Sequence, residues 1–156
     1  MKSSKKLYFA YGSNMDQARL ENRIGKVVKL QAIAVPYWKL TFECGWQDRR
    51  FANITMTGLR EDKVEGVMYE LTERQMRNLD NFEGYPYLYQ KMAIPLLDGR
   101  SMDAYVSFNP LYRSAEGVIA KPEYTQHIIN GCKENRLYFT MRKLEEFRQQ
   151  GLLVFP

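Results

Sequence analysis

Leu7, Tyr8, Phe9, Ala10, Tyr11, Gly12, Ser13 and Asn14 form the stretch from which the fold is read. Five apolar residues follow Lys5 and Lys6 without polar alternation, a pattern that suits a short strand covered on both faces. Gly12 ends the run. A Gly-Ser-Asn corner lets main-chain N–H groups turn outward into a small anion- or oxyanion-binding nest, above all where a helix follows at once. Residues 15–24 meet that condition: Met15, Ala18, Leu20 and Ile24 fall on related faces, no Pro or Gly interrupts, and Ser13 or Asn14 offers an N-cap. Taken alone, the tripeptide is first of all a turn with a capping residue, so its meaning rests on the rest of the chain.

The chain of 156 residues has the length of one ordinary domain, and residues 1–156 are expected to form one. Hydrophobic residues make up 45% and charged residues 26%, which favours a globular core over disorder. The apolar runs fall far short of the roughly 20 residues that cross a bilayer, and residues 1–6 carry no apolar leader segment, so no membrane association and a cytoplasmic location are expected. Cys44 and Cys132 form no CxxC pair and His127 is the sole histidine, which leaves little material for a zinc site or a thiol nucleophile. No metal is expected, and both cysteines are taken as reduced core thiols. The net charge of +5 is dispersed, with 23 Lys and Arg against 18 Asp and Glu, and suits solubility or a small anionic substrate better than nucleic acid. The 11 Tyr and 8 Phe do not interleave with basic residues as a stacking surface would require, so they argue for core packing.

Beyond the first helix, residues 27–34 and 37–43 suit two strands of a hairpin about Pro36, the second alternating Lys39, Thr41 and Glu43 with Trp38, Leu40 and Phe42. Residues 45–50, with Trp46 among polar and basic neighbours, suit a loop, either near the mouth of a site or as a solvated connection. Residues 51–57 and 64–71 are expected to pair antiparallel through a turn at 58–63. Thr72 and Gln75 have capping-box spacing before a short helix that carries Met76 and Leu79 and reaches about Asp80. Residues 88–97 and 101–108 flank Asp98-Gly99-Arg100, a strong hairpin signal, with Pro95 marking an edge or a bulge. Residues 109–122 suit a mobile surface excursion able to act as a lid. Two helices follow at 123–135 and 137–150, Gly151 stops the second, and apolar residues 152–155 are expected to pack back. The sum is an α+β chain with a mostly antiparallel, barrel-like sheet and flanking helices. No βαβ rhythm, GxGxxG or Walker loop is present, so a nucleotide cofactor is not favoured.

Glu83 stands among Phe82, Tyr85, Tyr87 and Tyr89, beside a Gly84–Pro86 turn. Aromatic burial raises a carboxyl from about 4.3 toward roughly 6–7, where it can both take and return a proton near neutral pH. Without further context, a Glu after a short helix is a cap or an ion-pair partner, and Asp80 is a rival better placed for capping or for positioning the loop. Two separated segments change that reading. Tyr-Phe-Ala-Tyr-Gly-Ser-Asn-Met at 8–15, and Leu79-Asp80 followed by Glu83-Gly84, Pro86 and Tyr89, resemble in the expected order the signatures of the γ-glutamylcyclotransferase-like (AIG2-like) family. Gly66-Val67-Met68-Tyr69 and Ala104-Tyr105-Val106 are similar to its intervening strands, and Pro122, Tyr124, Ile128 and Gly131 loosely match its C-terminal helix.

The resemblance implies that fold, no cofactor, and a small-molecule γ-glutamyl substrate. The implied reaction is attack of the substrate's α-amine on its own γ-carbonyl, which releases 5-oxoproline and a free amine or amino acid. It implies Glu83 as the catalytic acid/base. The main chain of Gly12, Ser13 and Asn14 would hold the oxyanion or the glutamyl carboxylate, with Tyr11, Tyr89 and Tyr105 positioning the substrate or Glu83. Cys132 and residues 135–138 depart from the Gly-Ala…Gly-Leu-Pro-like pattern of glutathione-pathway members, so the leaving group stays open among amino acids, amines and protecting groups. The competing expectation is a catalytically silent module that binds a small carboxylate.

Overall fold

The computed structural model describes residues 4–156, so the expectation about residues 1–6 lies partly outside the described residues. Strands β1 (Lys5–Ala10), β2 (Val28–Pro36), β5 (Lys63–Thr72), β6 (Gln90–Pro95) and β7 (Ser101–Val106) form one sheet in the order β2-β5-β1-β7-β6. Strands β3 (Trp38–Trp46) and β4 (Arg49–Met56) pair with each other in a separate ribbon. Around them lie helices α1 (Gln17–Ile24), α2 (Glu73–Phe82), α3 (Pro122–Asn135) and α4 (Tyr138–Gln149). All pairings are antiparallel except β1 with β7, which run parallel about Tyr8 and Asp103.

The central place of β1 explains its uninterrupted apolar sequence. Tyr8, Phe9, Ala10 and Tyr11 are all buried, as a strand covered on both faces must be. Its neighbour β5 approaches so closely that a Cβ at Gly66 would sit 2.3 Å from the Ala10 carbonyl oxygen. The α+β, mostly antiparallel reading is the architecture found, as an open sheet plus a ribbon. Asn53 of β4 hooks the ribbon to the end of β7, its side chain donating to the Ser107 carbonyl (3.0 Å) and accepting from the Ser107 N–H (2.9 Å).

Several local expectations are met. Thr72 and Gln75 bond reciprocally at 3.0 Å to open α2. The β6–β7 hairpin turns through Asp98 and Gly99, the latter at φ +90°, and Pro95 ends an edge strand. The C-terminal residues pack back: Ala120 exchanges main-chain bonds with Leu152 and Val154, and the Thr125 hydroxyl donates to the Val154 carbonyl at 2.6 Å.

Others are corrected. Residues 27–34 and 37–43 do not pair, because Tyr37 at φ +76° swings the chain off the sheet and β2 pairs with β5 instead. For the same reason β4 pairs with β3 and not with β5. The loop expected at 45–50 is mostly strand, closed by a turn at Gln47, at φ +56°, and Asp48. Ser13 and Asn14 do not cap α1; Ser13–Met15 forms a 3-10 turn, and Asp16 caps by accepting the Arg19 N–H. Residues 109–122 are tied down. Ser114 donates main-chain and hydroxyl hydrogens to the Glu43 carbonyl, and the Arg50 guanidinium donates to the Ala115 and Val118 carbonyls. No described helix is long and apolar enough to cross a membrane, and the described residues hold no cluster of three or more His, Cys, Asp or Glu that could hold a metal.

Candidate functional site

Helix α2 presents Met76 and Leu79 to the core and ends at Phe82, where Glu83 becomes its C-cap with its N–H on the Leu79 carbonyl (3.0 Å). Gly84 at φ +63° turns the chain away, and the Glu83 side chain, 16% exposed, lines a cavity of about 320 Å³. The corner after β1 forms the facing wall. Its 3-10 turn is clamped from behind: Tyr69 donates to the Met15 carbonyl at 3.2 Å, and α3 presses Gly131 so closely that a Cβ there would lie 2.3 Å from the Met15 Cβ.

Asn14 joins the two walls. Its Nδ2 donates to Glu83 Oε1 at 2.9 Å and to the Tyr8 hydroxyl at 3.0 Å, while its Oδ1 accepts from Arg23 Nη1 at 3.4 Å. Arg23 also approaches Glu83 Oε1 at 3.8 Å, with its guanidinium 5.1 Å from the Phe82 ring centroid. Glu83 Oε2 has no hydrogen-bond or ion-pair partner among the described residues. Burial pushes the Glu83 carboxyl above the usual carboxylate range, and Arg23, Asn14 and Arg19 offset that only in part. The main-chain N–H groups of Gly12, Ser13 and Asn14 find no acceptor among the described residues, as expected for the open end of a turn.

All seven residues singled out in the sequence line this one cavity: Glu83, Tyr11, Gly12, Ser13, Asn14, Tyr89 and Tyr105. The tyrosines differ from the expectation in one respect, because their hydroxyls are committed elsewhere. Tyr11 donates to the Tyr105 carbonyl, Tyr89 to the Ala52 carbonyl at 2.6 Å, and Tyr105 to Asp80 Oδ1 at 2.6 Å. Ring surface is therefore what they offer the cavity. Burial raises all three hydroxyls above the ordinary tyrosine value, which keeps them neutral. Asp80, held by Lys91 at 3.1 Å as well as by Tyr105, fixes α2 against β6 and β7. No residue of 109–122, the segment read as able to act as a lid, lines the cavity.

Sequence reasoning assigned no site role to Tyr8, Arg19, Arg23, Arg49 and Tyr124, which also line the cavity. One signal was available for two of them. Arg19 and Arg23 stand at i,i+4 on α1, a like-charge pair that weakens a solvated helix and therefore asks for an anion nearby. Trp46, 52% exposed, stands at the mouth, where one of the two alternatives for residues 45–50 put it.

A family model described as gamma-glutamyl cyclotransferase, AIG2-like, matches residues 8–126. Among solved structures, an uncharacterized human protein is 27% identical, with 84% of this chain and 80% of that one covered and a TM-score of 0.69. A structure described as a gamma-glutamyl cyclotransferase is 24% identical over 90% of this chain and 85% of its own, with a TM-score of 0.68. A yeast gamma-glutamyl cyclotransferase specific to glutathione shares 11% identity over 85% and 88%, at a TM-score of 0.61. The last two are likenesses of fold. No curated protein matches by sequence.

Proposed function

Because the chain belongs to the AIG2-like gamma-glutamyl cyclotransferase family, we propose that it releases 5-oxoproline and a free amine or amino acid from a γ-glutamyl compound. The observation that carries this reading is the Asn14 bridge, which holds a partly buried carboxylate and a turn of unbonded N–H groups on facing walls of one cavity. In the proposed reaction Glu83 Oε2 takes a proton from the substrate's α-ammonium. The freed amine attacks the γ-carbonyl carbon, and the Gly12, Ser13 and Asn14 N–H groups receive the oxyanion. Collapse breaks the γ-amide C–N bond, Glu83 returns the proton to the departing nitrogen, and the ring stays closed.

One C–N bond forms and one breaks, and two protons move: the α-nitrogen gives up two on its way from ammonium to lactam N–H, and Glu83 passes them in turn to the departing nitrogen, which leaves as an ammonium. The substrate carries both nucleophile and electrophile, so holding them in near-attack geometry supplies much of the acceleration. The raised carboxyl suits proton exchange near neutral pH. Tyr11, Tyr89 and Tyr105 would shape the cavity with their rings, and the reduced, buried Cys44 and Cys132 fit a cytoplasmic setting.

The test is mass spectrometry of a panel of γ-glutamyl amino acids and amines. Native protein is expected to give 5-oxoproline and Glu83→Gln essentially none. Equal release by both removes Glu83 from the mechanism. Saturable binding without release by the native protein supports a silent carboxylate-binding module.

A further inference from the structure

A second cavity, of about 280 Å³, adjoins the first and shares Arg19, Arg49, Phe51 and Tyr124 with it. Its basic residues are not equivalent. Arg50 donates to the carbonyls of Phe42, Ala115 and Val118, Lys121 pairs with Asp48 at 3.0 Å, and His127 meets Asp16 at 2.8 Å. On the Glu83 side, Arg23 is engaged by Glu83 and Asn14. Two cations are left over. The guanidinium groups of Arg19 and Arg49 make no hydrogen bond or ion pair among the described residues, and Arg19 Nε is buried without a partner. Both stand on the wall common to the two cavities. On the same wall Phe51 and Tyr124 pack edge to face, with ring centroids 5.5 Å apart, and the Tyr124 hydroxyl accepts from the Ala52 N–H at 2.9 Å while its own proton meets no acceptor among the described residues.

A buried guanidinium nitrogen without an acceptor is costly, and a planar fork of donors matches a carboxylate better than any neutral group. We infer that Arg19, Arg49 and Tyr124 form a subsite for a carboxylate on the leaving half of the substrate, so that this protein prefers γ-glutamyl amino acids or peptides with a free C-terminus over γ-glutamylamines. The inference rests on the proposed cyclotransferase reading for what occupies the first cavity. It assigns the glutamyl half to the Glu83 and Asn14 side and the departing half to the arginine side, where the second cavity gives it length.

The preference is read in binding, so it does not depend on turnover. Calorimetry on Glu83→Gln protein compares γ-glutamyl-alanine with γ-glutamyl-alaninamide, which differ only in the leaving-side carboxylate. The acid is expected to bind at least about tenfold more tightly, and Arg49→Gln added to that background is expected to cut the ratio to about twofold. Arg49 is exposed, so its replacement leaves the core untouched; Arg19→Gln is expected to cut the ratio in the same direction. Equal dissociation constants for acid and amide, or a ratio that neither arginine variant changes, overturn the subsite. Failure of the native protein to release 5-oxoproline from either compound sinks the cyclotransferase reading instead, while the acid-to-amide ratio still decides the subsite. Binding of neither compound overturns both.

Discussion

Asp16 and Glu83 are carboxylates at helix ends, both largely buried, and they are held in opposite ways. Asp16 caps the N-terminus of α1, where the helix dipole favours a negative charge. Burial opposes its ionisation, but His127 at 2.8 Å, Asn130 at 3.0 Å and the Arg19 N–H outweigh it, and the carboxyl stays below its ordinary value. Glu83 caps the C-terminus of α2, the unfavourable end for an anion, and burial wins over Arg23 and Asn14. Both oxygens of Asp16 have partners, whereas those of Glu83 fall on Oε1 alone. A saturated carboxylate holds structure together; one left an oxygen short can exchange a proton. Depth and donors act together: Glu83 lies deeper in the protein and has fewer donors than Asp16.

The contrast breaks first, and most visibly, at Glu83→Gln. Release of 5-oxoproline is expected to fall by about 10²–10⁴-fold, the usual worth of a positioned acid/base. The variant's melting temperature at neutral pH should equal or exceed that of the native protein. The sign follows from the raised pKa: charging this carboxyl on going above its folded value weakens the fold, and Gln removes that charge. A large loss of stability would instead make Glu83 a structural group.

Asp16→Ala is expected to do the reverse, costing about 2–4 kcal/mol in urea unfolding through a lost cap and an orphaned His127 and Asn130. Because the Asp16 pKa is depressed, its contribution is present at neutral pH and lost as pH falls through the folded value. Asp16→Asn should accordingly flatten the acid side of the stability profile. A smaller effect tests the clamp between them. Gly131→Ala should destabilise by about 1–3 kcal/mol, since its Cβ would drive Met15 and the Asn14 turn forward. The finest probe is Arg23→Gln, which removes a group that lowers the Glu83 pKa. The acid limb of the kcat/KM profile should move to higher pH, and a shift to lower pH would remove Arg23 from the control of Glu83.

What was legible in the sequence was local. The capping box at Thr72 and Gln75, the Asp98–Gly99 hairpin and the break at Gly12 are each decided within a few residues, and each appears as expected. The pairings of β2 and β4 were not legible. Adjacent strands are ordinarily partners, but a positive φ at Tyr37 redirects the chain, and β5 supplies both β2 and β1 with an edge. The site divided along the same line. Glu83 and the Gly12–Ser13–Asn14 corner carry their signal in contiguous residues, whereas Arg49 and Tyr124 reach the cavity only once the ribbon and α3 are in place. The rings of Tyr11 and Tyr89 were found while their hydroxyl partners were not, because main-chain acceptors leave no trace in side-chain pattern.

The parallel pairing of β1 with β7 also governs when the cavity comes into being during synthesis. Tyr8 leaves the ribosome early and must wait for Asp103, so the first strand stays without one of its two neighbours until most of the chain has emerged. Its apolar residues are meanwhile an adhesive segment, for which β5 is the earlier available cover. Closing so long a loop makes this a slow topology, and a chain truncated before β7 would carry both Asn14 and Glu83 yet lack the sheet that holds them face to face.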